Sequence, residues 1–147
     1  MNNPDNTTYH YLDGSTYKGK MLNGMKNGKG TYKIHTPYGI SIYVGGWKDD
    51  LFHGVGEYTF WKIVDEKPLK VIYKGDMRYG EADGNGTLVW EDGIQVSGHW
   101  EKSYCFHGTI TSPEGVYFGD IGENRYPNGF GQMKYSNCVI KEGDFIP

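Results

Sequence analysis

Along most of the chain, bulky residues alternate with small or polar ones at a period of two, and the alternation breaks at short polar turns. Tyr17, Gly19 and Met21 fall on one side, Lys18 and Lys20 on the other. Tyr43, Gly45 and Trp47 likewise oppose Val44, Gly46 and Lys48. Such alternation predicts β-strands with two unlike faces. A turn follows at Asn23-Gly24 or Asp49-Asp50, and a second alternating run puts Gly54, Gly56 and Tyr58 on a shared face. Two such runs across a short turn predict a β-hairpin. Further turns at Asp13-Gly14 and Asp92-Gly93 join hairpin to hairpin. No stretch has helical periodicity.

The hairpins repeat. Tyr17, Gly19, Met21, Gly24, Gly28, Gly30 and Tyr32 recur at identical offsets as Tyr43, Gly45, Trp47, Asp50, Gly54, Gly56 and Tyr58. They recur again as Tyr73, Gly75, Met77, Gly80, Gly84, Gly86 and Leu88, with Asp50 standing where the other two copies have a turn glycine. Two degenerate units follow with altered middle spacing, a fourth (Val96, Gly98, Trp100, Gly108, Ile110) and a fifth (Tyr117, Gly119, Ile121, Gly129, Gly131, Met133). Tyr9 and Tyr11 resemble the second half of a preceding unit, and Gly143 and Phe145 the first half of a sixth. Glycine supplies 23 of 147 residues and tyrosine 13. A strand glycine weakens its strand unless a neighbouring ring covers the bare backbone, so the repeat carries both halves of one contact. No hairpin is stable alone, and stacked units bury one another's rings.

These residues resemble the MORN (membrane occupation and recognition nexus) repeat family. Its unit reads approximately Tyr-x-Gly-x-Trp-x-x-Gly, a short polar run, then Gly-x-Gly and an aromatic or aliphatic residue. His53-Gly54 and His107-Gly108 match the family's frequent His-Gly step. The resemblance runs from about Tyr9 to Phe145. The expected fold is all-β: an open single-layer antiparallel β-meander of stacked hairpin repeats, about ten to twelve strands. The units fall at 7–14 (half), 15–36, 41–64, 71–92, 94–114, 115–137 and 139–147 (half). The unit starts are spaced by 26, 30, 23 and 21 residues. The longest gap points to a lengthened hairpin at Trp61 to Lys70 that projects from the sheet, and a smaller extension lies at His35 to Ile40. Val96 and Ile121 replace aromatics, which predicts less regular packing toward the C-terminus. Relatives with catalytic domains carry methyltransferase or lipid-kinase modules, for which this chain has no room.

Charge and chemistry narrow the function. A net charge of -3 excludes a general nucleic-acid binder. No apolar run reaches the length of a membrane span, and Met1 to Thr8 lacks the layout of a signal peptide. The expected location is the cytoplasm, with peripheral membrane association as a variant. Cys105 and Cys138 show no metal or redox spacing and are expected as reduced thiols. Cys105-Phe106-His107 sets a thiol near an imidazole but has no third orienting group. His10, His35, His53 and His99 form no spaced metal set. The Gly-x-Gly steps open strands rather than helices, so they are not phosphate loops. The chain is expected to be no enzyme, with no catalytic residue, metal or cofactor.

Two candidate surfaces remain. Tyr17, Tyr32, Tyr43, Trp47, Tyr58, Tyr73, Trp100 and Tyr117 line one face, either as a groove for a peptide or as the fold's own core. Lys18, Lys20, Lys26, Lys29 and Lys33 lie in a stretch free of acidic residues, either as a contact for anionic lipid or as a solvated strand face. Lys18 and Lys20 are expected opposite the rings. The leading function is a protein-protein adaptor or scaffold that captures a peptide on its aromatic face. The alternatives are a tether on anionic phospholipid and a small-ligand or glycan binder using stacked aromatics. Exposed sheet edges and the family resemblance also allow a homodimer.

Overall fold

The computed structural model describes residues 7–122 and 125–146. Among these residues it is all strand: β1 (Thr8–His10), β2 (Thr16–Leu22), β3 (Met25–Thr36), β4 (Gly39–Lys48), β5 (Leu51–Val64) and β6 (Lys67–Arg78). Then come β7 (Glu81–Trp90), β8 (Gln95–Trp100), β9 (His107–Ser112), β10 (Gly115–Ile121), β11 (Pro127–Tyr135) and β12 (Ile140–Phe145). They form one 12-stranded sheet in sequence order, each strand antiparallel to the next. This is the open single-layer meander expected from the repeat.

Two rows of side chains cross the sheet. Gly19, Gly30, Gly45, Gly56, Gly75, Gly86, Gly98, Gly108, Gly119, Gly131 and Gly143 are successive cross-strand partners from β2 to β12. The adjoining row reads Tyr9, Tyr17, Tyr32, Tyr43, Tyr58, Tyr73, Leu88, Val96, Ile110, Tyr117 and Met133. Rings lie across the glycines as expected. A Cβ built on Gly56 would sit 2.5 Å from Cζ of Tyr43, and the rings of Tyr17, Tyr73 and Tyr117 crowd Gly30, Gly86 and Gly131 in the same way. Any side chain larger than hydrogen would displace the tyrosine.

The hydroxyl completes the arrangement. In β2–β3, β4–β5, β6–β7 and β10–β11 the register shifts just past the glycine, which bends the strand. Within each hairpin the residue in that gap loses its ladder partner. The tyrosine three positions back replaces the missing bond: Tyr17 donates to the Lys20 carbonyl (2.7 Å), Tyr43 to Gly46 (2.9 Å), Tyr73 to Asp76 (2.7 Å) and Tyr117 to Asp120 (2.7 Å). A partly buried carbonyl is thereby satisfied at each bend. Four repeated bends curl the sheet toward its ring face, which is how a single layer buries one side. Tyr17 is fully buried while Lys18 beside it is exposed.

The repeats also dock end to end. Asp50 N–H donates to the Lys26 carbonyl, Gly80 N–H to Phe52, and Ser103 N–H to Ala82. Each intra-repeat turn thus caps the strand before it. The lengthened hairpin is present as a continuous ladder up to Val64 and Lys67, closed by Asp65 and Glu66. It does not stand free of the sheet. Lys62, Ile63 and Val64 lean over the ring face, and Trp61 covers Gly39. In the fourth unit Val96 leaves the glycines without a ring, and the Cys105 thiol lies against Gly98 instead.

Candidate functional site: the ring face and its groove

The rings proposed to line a groove divide by burial. Tyr17, Tyr43, Tyr73, Tyr117, Trp47 and Trp100 are all buried, at most 5% exposed, whereas Tyr32 and Tyr58 are half-buried. The indoles are tied down as well: Trp47 Nε1 donates to the Gly30 carbonyl (3.1 Å) and Trp100 Nε1 to Gly86 (2.9 Å). Tyr43 stacks on Phe52 at 3.8 Å between centroids and meets Trp47 edge-on. Burial pushes the Tyr43 hydroxyl up to about 12 and raises that of Tyr73, where Asp76 and Asp83 add to the effect. These six rings form the packed floor of the face.

The lysines divide too. Lys18, Lys20, Lys29 and Lys33 are exposed on the face opposite the rings. Lys26 is not with them. Its ammonium lies over the rings of Tyr11 (4.7 Å), Tyr32 (5.0 Å), Trp47 (5.5 Å) and Tyr17 (5.6 Å), and 3.7 Å from Asp50. Alternation along β3 sets Lys26 on the side of Gly28, Gly30 and Tyr32, where cation–π attraction holds it.

An opening remains between the lengthened hairpin and the start of β11. It encloses about 310 Å³. Leu88, Trp90, Val96, Trp100, Cys105 and Ile121 line its apolar part, and Ile63, Tyr104 and Tyr126 are exposed at its sides. Arg125, only 8% exposed, separates it from a second recess of about 410 Å³. The Arg125 guanidinium donates to Asp92 Oδ1 at 2.7 Å and lies 5.3 Å from the Trp90 ring centre. Trp90 is also buried, and its Nε1–H has no acceptor among the described residues.

The thiol and imidazole of Cys105-Phe106-His107 do not meet. The Cys105 thiol faces the groove and donates to the His107 carbonyl (3.4 Å), and burial pushes its pKa up. His107 Nδ1 lies 3.1 Å from Asp120 Oδ1 beside Phe118, on the other face. A raised thiol with no base beside it is a poor nucleophile. Among the described residues no three His, Cys, Asp or Glu side chains gather as metal ligands, and no helix is long and apolar enough to cross a membrane.

The family model for the MORN repeat matches residues 17–34, 43–60 and 73–95. These three stretches are MORN repeats. The chain's MORN units are similar to MORN repeat-containing protein 3 of Xenopus laevis, 36% identical over 76 residues, which cover 46% of this chain and 29% of the relative. The chain thus spans under a third of the curated relative it matches. MORN repeats commonly mediate protein or membrane interaction. The fourth and fifth units lie outside these matches, yet the glycine row continues through them without a break.

Several residues of this MORN array escaped the sequence reading. Asp50 does more than replace a turn glycine: its carboxylate accepts from Lys26 N–H at 2.7 Å, across two units. Trp90 stands two positions beyond Leu88 on the ring side, so the period of two carried its signal. Arg125 had none, because its partner Asp92 is 33 positions away in a loop.

Proposed function

We propose that this chain is a non-enzymatic interaction module, working in the cytoplasm, that captures a peptide segment of another protein on its ring face. The carrying observation is the apolar opening of about 310 Å³ on a face whose other rings are already packed. A single sheet leaves that side uncovered, and concave apolar recesses with a few polar groups are where ligands seat. The contact residues are the exposed wall, Ile63, Tyr104 and Tyr126, rather than the buried tyrosines. Selection from a random-peptide library on the full chain tests this. Selected peptides should lose at least tenfold in affinity on Ile63→Asp or Tyr104→Ala, with the circular dichroism spectrum unchanged. Peptides indifferent to both changes would refute the reading.

A second reading has its own support. Lys18, Lys20, Lys29 and Lys33 share the outer face of β2 and β3, and none joins an ion pair among the described residues. Four close lysines suit an anionic bilayer surface. Sedimentation with phosphatidylserine vesicles should then fall with salt and on changing these four to Gln. The glycan alternative has less to stand on, because the buried rings offer no free stacking platform.

A further inference from the structure

We propose that the outer face of β10–β12, on the side away from the rings, is a second docking surface. Its occupant is an extended segment of a partner protein that presents arginine and a large aliphatic side chain on one face. The surface is separate from the ring-face groove and goes beyond that reading. The first argument is exposed apolar area. In the first unit the positions after Tyr17 and Gly28 hold Lys18 and Lys29; in the fifth, the positions after Tyr117 and Gly129 hold Phe118 and Phe130. Both phenylalanines are 57% exposed, and Val116 and Ile140 are exposed on the same face. Phe118 lies cross-strand from Gln132, and Phe130 stands two positions before Gln132, a diagonal spacing that aromatic side chains bridge. Exposed apolar residues scattered singly are ordinary, whereas a contiguous group rimmed by polar residues marks an interaction site. Phe118 also borders a shallow trough of about 540 Å³ over the bare backbone of Gly86, Gly98 and Gly108, which gives an incoming side chain room beside the ring.

The second argument is charge. Phe130 faces Asp144 across β11–β12, and Gln132 faces Glu142. Neither carboxylate joins an ion pair among the described residues. Asp120, on the same face, accepts the Phe130 N–H at 3.2 Å and lies 3.1 Å from His107 Nδ1, so its charge is partly engaged. Lys134 stands at the far end of β11, opposite Val116 and Ile140, so the carboxylates crowd the end that holds the two rings. Residues 1–6, 123–124 and 147 contain no lysine or arginine. Phenyl rings with carboxylates beside them suit arginine, whose planar guanidinium stacks on a ring face while its N–H groups meet a carboxylate in pairs. The same carboxylates repel an anionic bilayer, which sets this end of the outer face apart from the lysine-bearing end at β2 and β3.

The test titrates the isotope-labelled full chain with acetyl-Leu-Ser-Arg-Ser-Leu-Ser-Arg-Ser-Leu-amide, in which leucine and arginine share one face of an extended peptide. Two controls carry Glu in place of Arg, or Ser in place of Leu. The parent peptide should saturate and shift the amide resonances of Phe118 and Phe130. It should bind at least tenfold tighter than either control and weaken as salt is added. Phe118→Ser, and Glu142→Gln with Asp144→Asn, should each cost at least fivefold; all three side chains are exposed, so neither change opens the core. Ile63→Asp should leave the affinity unchanged. No saturation, equal binding of all three peptides, or an affinity untouched by Phe118→Ser would overturn the proposal. Binding lost on Ile63→Asp and kept in Phe118→Ser would move the segment to the ring face, leaving the interaction module standing and removing only this surface. Phosphatidylserine vesicles or a second copy held through Phe118, with the peptide indifferent to that residue, would equally overturn it.

Discussion

Asp65 and Glu66 close the longest hairpin with φ of 50° and 66°, a left-handed pair that glycine adopts without strain. Nothing in the structure explains a glutamate there. Glu66→Gly should stabilise the chain by about 1 kcal/mol in urea denaturation. Asp50 has a similar φ of 68°, but its carboxylate accepts the Lys26 N–H. Asp50→Gly should therefore gain the backbone term, lose the acceptor, and come out near neutral. The buried phenols give a second residue-scale expectation. Tyr43 ionises at about 12 in the fold because burial disfavours the phenolate. Its contribution to stability is complete below the unfolded phenol value of about 10 and is lost as pH rises through 12. A spectrophotometric titration should show Tyr43 and Tyr73 ionising later than the exposed tyrosines, together with alkaline unfolding.

The hairpin is the unit in which the sequence was most readable. Identical offsets fixed strand, turn and face for the first three units, because a period of two and a glycine turn are local signals. The contacts between turns were not local. Asp50 to Lys26 and Arg125 to Asp92 depend on how the curled sheet brings loops together, which no spacing encodes. Lys26 is the exception, because the alternation of Gly28, Gly30 and Tyr32 along β3 already places it on the ring side. Two predictions belong to elements. Replacing Lys62 to Leu69 by Asn-Gly, between the paired Trp61 and Lys70, should leave a cooperatively folded sheet while removing one wall of the groove and its ligand binding. In β10, hydrogen bonds from His107 and from Phe130 N–H hold Asp120 below the usual carboxylate range. That contribution is present above the unfolded carboxylate value and lost as pH falls through the lower folded one, so Asp120→Asn should flatten the acid limb of the stability curve.

Across the whole molecule, strands pack chiefly on their sequence neighbours, with the densest pairing between β5 and β6. Stability should then be nearly a sum over units, and hydrogen exchange should be slowest in β5 and β6 and fastest in β1 and β12. One interaction makes this ribbon possible, the ring laid on the next strand's glycine, and its function follows from the side left open. A double-mutant cycle on Gly56 and Tyr43 measures that interaction directly. The three atoms nearest a Cβ on Gly56 all belong to Tyr43. Gly56→Ala should cost about 3 kcal/mol with Tyr43 present and under about 1 kcal/mol in a Tyr43→Ala background. An equal cost in both backgrounds would contradict the account.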